Sequence, residues 1–243
     1  MPELPEVETC RRALEPLVVG RRWGAYQCGD RSLRMQPKAE AMSPLDGQVV
    51  SALSRRGKYL VFQVGSHCVL VHLGMTGQLF VSPDIEPWLK HEHWRVRLSD
   101  GVLRYQDPRR FGMLACCRSG DLEDHPLLRV LGPDPVHPGA WTLDDFIEAC
   151  RRSKKPIKHL IMDASCVVGV GNIYAAEALF AAGIHPRRRA DQISRRRLAC
   201  LQKEIRVVLG RALDAGGSTI RDFRSSSGAP GYFAQELSVY GRG

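Results

Sequence analysis

The sequence predicts an α+β fold in which a mostly β first half gives way to a basic, helical second half. Three observations carry this. Short β-rich runs broken by glycine fill residues 48–106. Apolar residues at helical spacing dominate after residue 142. Between them, Gly132-Pro133-Asp134-Pro135-Val136-His137-Pro138-Gly139 crowds together breakers that no regular element continues through. The boundary therefore falls near 133–140, giving units 1–135 and 136–243.

Residues from Pro5 to about Val18 carry Val7, Leu14 and Leu17 among charges, which suits an amphipathic helix entered through a proline. Val49-Val50, Tyr59-Leu60-Val61-Phe62, Val69-Leu70-Val71 and Gln78-Leu79-Phe80 read as successive antiparallel strands, parted at Arg56-Gly57, Gly65-Ser66 and Gly74. Trp94, Val96 and Leu98 alternate with Arg95 and Arg97, and Asp100-Gly101 turns the chain into Val102–Gln106. Thr142 is placed to cap a helix whose first turn holds Asp144 and Asp145. Lys155–Met162 makes a short helix with Pro156 near its first turn, and Asn172 opens another that Gly183 stops. From Ser194, a stripe of Leu198, Leu201, Ile205, Val208, Leu209 and Leu213 runs to Gly216-Gly217.

The chain has 243 residues, 44% hydrophobic and 25% charged, the balance of a globular protein and not of a disordered one. No window approaches the ~20 apolar residues of a membrane helix. The start, Met1-Pro2-Glu3-Leu4-Pro5-Glu6-Val7-Glu8, is acidic and lacks the apolar core of a signal peptide. Eight cysteines (10, 28, 68, 116, 117, 150, 166 and 200) form no Cys-x-x-Cys pair, so reduced thiols in a cytoplasmic protein are expected. The net charge of +9 is uneven: residues 1–150 carry 18 Lys and Arg against 19 Asp and Glu, whereas residues 151–243 carry 17 against 7. Such a basic half fits either a plain solvated surface or a footprint for nucleic-acid phosphates.

Several motifs carry chemistry. Removal of Met1 leaves Pro2 as a secondary amine titrating at ~7.7–8, an amine that can attack a masked aldehyde and form a cationic iminium. Glu3 beside it is placed to move protons. A proline that simply starts a helix explains the same two residues. Lys58, at a turn into a strand, is either a solvated charge or a partner of that amine. His72-Leu73-Gly74-Met75-Thr76-Gly77 and Asp107-Pro108-Arg109-Arg110-Phe111-Gly112 put Met75 and the Arg109–Phe111 pair on breaker-flanked loops. Exposed apolar residues beside arginine are what a protein inserts into a base stack when it extrudes a nucleotide. Core packing accounts for Met75 or Phe111 singly, less well for the Arg109–Phe111 pair. Val168-Gly169-Val170-Gly171-Asn172 is no dinucleotide fingerprint, since Tyr174 stands at the third glycine position. Its turn into a helix offers backbone N–H groups to a phosphate, with Asn172 as cap or contact.

Taken together, Met1–Thr9, the Lys58 turn, His72–Met75, Asp107–Gly112 and Gly169-Val170-Gly171-Asn172-Ile173-Tyr174 resemble the bacterial formamidopyrimidine-DNA glycosylases. The resemblance runs from Met1 to Gly243. Gly216-Gly217-Ser218-Thr219 and Ser227-Gly228-Ala229-Pro230-Gly231-Tyr232-Phe233 look more like this branch than its sister for oxidised pyrimidines.

The resemblance implies an N-terminal helix with an antiparallel β-sandwich, then a helical domain with a helix–two-turn–helix motif, and a monomer that binds damaged duplex DNA in the cleft between. It implies a base-excision repair glycosylase and lyase for 8-oxoguanine and formamidopyrimidines, with β,δ-elimination of the strand. Pro2 would be the nucleophile, Glu3 the acid/base and Lys58 their assistant. Met75, Arg109 and Phe111 would fill the gap left by the flipped base, and His91, Lys154, Lys158 and Asn172 would hold phosphates. Family members carry a C-terminal zinc finger with two Cys-x-x-Cys pairs; this sequence contains neither pair, so no metal or other cofactor is expected in it. Two alternatives stand beside this: a lesion- or abasic-site-binding protein with little turnover, and a glycosylase preferring oxidised pyrimidines.

Overall fold

The computed structural model describes residues 2–83, 87–217 and 237–240. It opens with α1 (Leu4–Val18), which runs through Pro16, and continues into eight strands. These are β1 (Trp23–Cys28), β2 (Val50–Arg56), β3 (Tyr59–Val64), β4 (His67–His72), β5 (Gln78–Ser82), β6 (Glu92–Leu98), β7 (Gly101–Gln106) and β8 (Met113–Arg118), with a short α2 (Ala39–Met42) after β1. Two four-stranded antiparallel sheets result, ordered β1-β6-β7-β5 and β2-β3-β4-β8.

Their inner faces share one core. Trp23 and Trp94 of the first sheet bury with Phe62 and Val71 of the second, and Val7, Cys10, Leu14 and Val18 of α1 complete it. The rings of Trp23 and Phe62 meet edge-on at 6.0 Å, while those of the cross-strand pair Trp94 and Tyr105 stack at 5.3 Å. This is the sandwich that the resemblance implied.

The strands do not simply follow one another. β4 and β5 lie in different sheets, and β5 pairs with β7 across Leu79↔Tyr105. β1 and β8 were not foreseen, because Trp23–Cys28 and Met113–Arg118 mix polar and small residues without clear alternation. Arg95 also departs from its expected solvent face: it is buried, bonded to Gln27 Oε1 at 2.7 Å and lying 3.9 Å from the Trp88 ring.

The helical half packs α3 (Leu143–Arg151), α4 (Ile157–Ile161), α5 (Asn172–Ala181) and α6 (Arg195–Asp214) around a second core. Thr142 caps α3 by accepting from the Asp145 N–H at 3.2 Å, an interaction worth ~1 kcal/mol. α5 is buried on nearly every side, with Ile173, Tyr174, Ala175, Glu177, Ala178 and Leu179 all enclosed. The segment between the two cores is tied down: Arg55 on β2 bridges Glu8 of α1 at 3.1 Å and Asp134 at 3.0 Å. The Leu4 N–H donates to the Gly169 carbonyl at 3.0 Å, so the chain's start rests on the helical half.

Candidate active site

Glu3 stands at the N-cap of α1, but its carboxylate reaches the opening of α5. Oε2 accepts from the N–H groups of Gly171 (2.7 Å) and Tyr174 (3.4 Å), and Oε1 accepts from Ile173 (2.9 Å). A carboxylate is favoured there because the first N–H groups of a helix are unpaired and its dipole is positive at that end. Gly171 makes the approach possible: a Cβ on it would lie 2.4 Å from the Glu3 carboxyl carbon. Burial pushes the Glu3 carboxyl up to about 7, against the opposing pull of Lys58 and the Ile173 N–H. Glu6, one turn further along α1, accepts from Tyr174 Oη at 2.5 Å and from the Glu3 N–H at 2.8 Å.

This arrangement corrects one expectation. The backbone N–H groups at the Gly171 turn were expected to await a phosphate, yet three of them hold Glu3. The chain's own carboxylate satisfies the helix end. Gly171, not Asn172, occupies the N-cap, and the Asn172 side chain is exposed.

Lys58 sits on the two-residue turn between β2 and β3. Its Nζ donates to the Val170 carbonyl at 3.2 Å, in the same 168–171 segment that meets Glu3. Burial draws its ammonium below the usual lysine range, while the charges of Glu3 and Glu6 resist this. Pro2 is buried next to Glu3. The structure therefore brings Pro2, Glu3 and Lys58 to one place where the β half meets the turn before α5. The His72 ring lies tilted against Tyr59, centroids 4.9 Å apart, and accepts from the Gly74 N–H at 3.0 Å, linking this floor to the Met75 loop. Burial and the Lys58 charge lower His72 to about 4, so it is neutral at pH 7.

The loops bearing Met75 and Arg109–Phe111 are built around Asp107, which is fully buried. Its Oδ1 accepts from Thr76 Oγ1 (2.5 Å) and the Arg109 N–H (3.2 Å), and its Oδ2 accepts from the Gly112 N–H (2.8 Å). The two loops touch at Gly74 (φ +64°), where a Cβ would lie 2.5 Å from the Phe111 carbonyl carbon. Arg110 holds a left-handed backbone (φ 57°), an uncommon choice for a side-chain-bearing residue. Arg109 and Phe111 project outward, the guanidinium 5.0 Å from the ring centroid, with Phe111 45% exposed. Met75 is half-buried, a departure from the expected free tip, because its loop leans on the neighbouring one.

His91 is exposed with φ 64°, and its carbonyl accepts the Asp107 N–H at 2.9 Å, so it joins the same group. Behind it, the buried pair Arg104–Glu92 closes at 2.8 Å. Lys154 is exposed and Lys158 half-buried, both in the helical half with Asn172. Sequence reading missed Asp107, Thr76 and Glu6 as organising residues. Asp107 heads the very motif that was noticed, and an acid opening a Pro-Arg-Arg-Phe-Gly loop is a turn-former by chemistry.

Among the described residues, no three His, Cys, Asp or Glu side chains gather as a metal ion would require. Among them also, no helix is long and apolar enough to cross a membrane. The Gly216–Thr219 comparison reaches only as far as Gly217, and Ser227–Phe233 lies outside the described residues.

Comparison with known proteins agrees with this geometry. The family model for the formamidopyrimidine-DNA glycosylase N-terminal domain matches residues 1–114, and that for the formamidopyrimidine-DNA glycosylase H2TH domain matches residues 131–224. A formamidopyrimidine-DNA glycosylase of Stutzerimonas stutzeri is 48% identical over all of this chain and 89% of its own length, and that of Shewanella loihica is 44% identical over the same shares. Among solved structures, the MutM (Fpg) protein of Thermus thermophilus superposes with a TM-score of 0.88 at 38% identity, covering 99% of this chain and 88% of that one. The Lactococcus lactis Fpg in complex with DNA containing an abasic site gives 0.90 at 34% identity, with the same coverage. The chain belongs to the formamidopyrimidine-DNA glycosylase family.

Proposed function

We propose that the protein excises oxidised purines from duplex DNA and then cleaves the strand, with Pro2 as nucleophile, Glu3 as acid/base and Lys58 as electrostatic assistant. One observation carries this reading: Glu3 is buried in the N–H groups opening α5 while Lys58 Nζ bonds the carbonyl of Val170 in the same turn. Residues from both halves of the chain thereby meet beside Pro2.

The chemistry follows from their placement. With Met1 removed, the Pro2 nitrogen attacks C1′ of the damaged nucleotide, and the base departs with a proton. Glu3, titrating at about 7, holds or releases a proton near neutral pH, as a general acid/base must. The cationic iminium then acidifies C2′, and loss of that proton expels the 3′ phosphate; a second elimination expels the 5′ phosphate. Lys58 adds a positive charge at the floor. The Asp107-braced loops offer Met75, Arg109 and Phe111 to the space the extruded base leaves. His91, Lys154, Lys158 and Asn172 hold backbone phosphates, which position the duplex without reading its sequence. The protein acts as a cytoplasmic monomer, joining the nucleoid when it binds DNA.

Borohydride trapping on a duplex carrying 8-oxoguanine opposite cytosine tests this, with Pro2→Gly as control. A covalent adduct with the parent, and none with a Pro2→Gly protein that still binds, is the expected result. Full turnover by Pro2→Gly would overturn the mechanism.

A further inference from the structure

The basic second half holds more charge than the proposed phosphate contacts use. Between His185 and Arg197 lie six arginines, Arg187-Arg188-Arg189 and Arg195-Arg196-Arg197, and one acid, Asp191. All six are exposed. Arg189 pairs with Asp191 and Arg195 with Asp144, while Arg197 bonds the Gly183 carbonyl. Arg187, Arg188 and Arg196 make no side-chain ion pair among the described residues.

The second triplet occupies the first turn of α6, which holds no acidic residue. Cations are disfavoured at that end, since the helix dipole is already positive there. Local preference and observed sequence thus conflict, a pattern expected where function sets the choice. The dipole, the two triplets and a cleft of about 410 Å³ between them, lined by His185, Arg188, Ser194 and Arg197, combine into one strongly positive surface.

This surface continues the segment that carries Lys154 and Lys158. The Ile157 N–H donates to the Arg188 carbonyl (2.8 Å) and the Lys158 N–H to the Pro186 carbonyl (3.3 Å). The Ala190 N–H donates to the Lys155 carbonyl (3.1 Å), and Pro156 bridges antiparallel to Arg189. Lysines and arginines therefore line adjacent strips of chain.

We infer that the two arginine triplets form a second phosphate-binding strip that extends the grip on duplex DNA beyond the nucleotides around the lesion. The inference rests on the DNA-glycosylase reading above and adds to it the residues that hold the duplex at a distance. Exposed arginines displace counterions from phosphates and carry no base information, so the strip binds damaged and undamaged DNA alike.

The test is the triple variant Arg187→Ala, Arg188→Ala, Arg196→Ala, whose exposed, unpaired side chains leave the fold intact by melting temperature. Affinity is measured across a salt series on an undamaged duplex of about three helical turns and on a lesion duplex of about one turn (~10 bp). On the long duplex the slope of log K against log salt is expected to fall by about 0.9 for each phosphate that the variant no longer neutralises. On the short lesion duplex, affinity and excision are expected to match the parent. An unchanged slope on the long duplex overturns the strip, and so does an equal weakening on both duplexes. A parent that does not cut a lesion duplex of about three turns, long enough to reach the strip, overturns the glycosylase reading itself, which is a distinguishable failure.

Discussion

Two buried carboxylates organise this site, and they do so over different reaches. Glu3 grips the N–H groups of Gly171, Ile173 and Tyr174, up to 171 residues away along the chain, and lies within the field of Lys58. Asp107 grips the N–H groups of Arg109 and Gly112, two and five residues on, and reaches the Thr76 hydroxyl 31 residues away. The first carboxylate joins two halves of the molecule beside Pro2. The second shapes a rim whose tips, Arg109 and Phe111, stay in solvent. One device, a carboxylate satisfied by backbone N–H groups, thus builds a rigid floor in one place and braces a projecting edge in another.

The largest effect is expected at the floor. Glu3→Gln keeps the size of the side chain but removes the titrating group, and excision is expected to drop by ~10²–10⁴-fold in single-turnover assays. A drop of less than about tenfold would make Glu3 a structural cap and nothing more, since general acid–base groups contribute more than that. At the rim, Asp107→Ala strands the Gly112 N–H and the Thr76 hydroxyl, at a cost of ~1–3 kcal/mol for each group left unsatisfied. A lower melting temperature and a KM rising more than kcat falls are expected. An effect on kcat alone would move Asp107 from the rim to the chemistry.

The floor also carries a pH signature, since Glu3 titrates at about 7. Base release is expected to show an inflection near that pH. The Lys58 ammonium stabilises the Glu3 carboxylate and so holds its titration down. In Lys58→Met the residual rate is therefore expected to show that inflection moved upward. A profile that stays put would separate the two groups. Smallest of all is Phe111→Ala: the side chain is 45% exposed, so stability should change by no more than ~0.5 kcal/mol. Binding of a duplex with an extruded nucleotide is expected to weaken all the same, measured by fluorescence of a base analogue at the lesion.

Much of the candidate site was legible because its chemistry is local. Pro2 and Glu3 stand together at the start, and glycines frame the loops that carry Met75 and Phe111. What was illegible is what holds them. Nothing near Glu3 in sequence indicates that Gly171 will receive it, and the Gly171 turn read alone suggested a phosphate. Likewise the half-burial of Met75 depends on the close approach of Gly74 to Phe111, on two loops that each cross between the sheets and are separated in sequence by β5, β6 and β7.

The α+β division, the hairpin between β6 and β7, and the helix ends at Thr142, Gly183 and Gly216 follow from sequence alone, because caps, turns and periodicity act over a few residues. So does the charge asymmetry between the halves. Three outcomes needed the folded chain: β5 crosses to pair with β7, β1 and β8 exist as strands, and Glu3, Lys58 and the turn before α5 converge. They rest on burial and on backbone groups seeking partners across the fold, and such pairings are set by packing and not by neighbours in sequence.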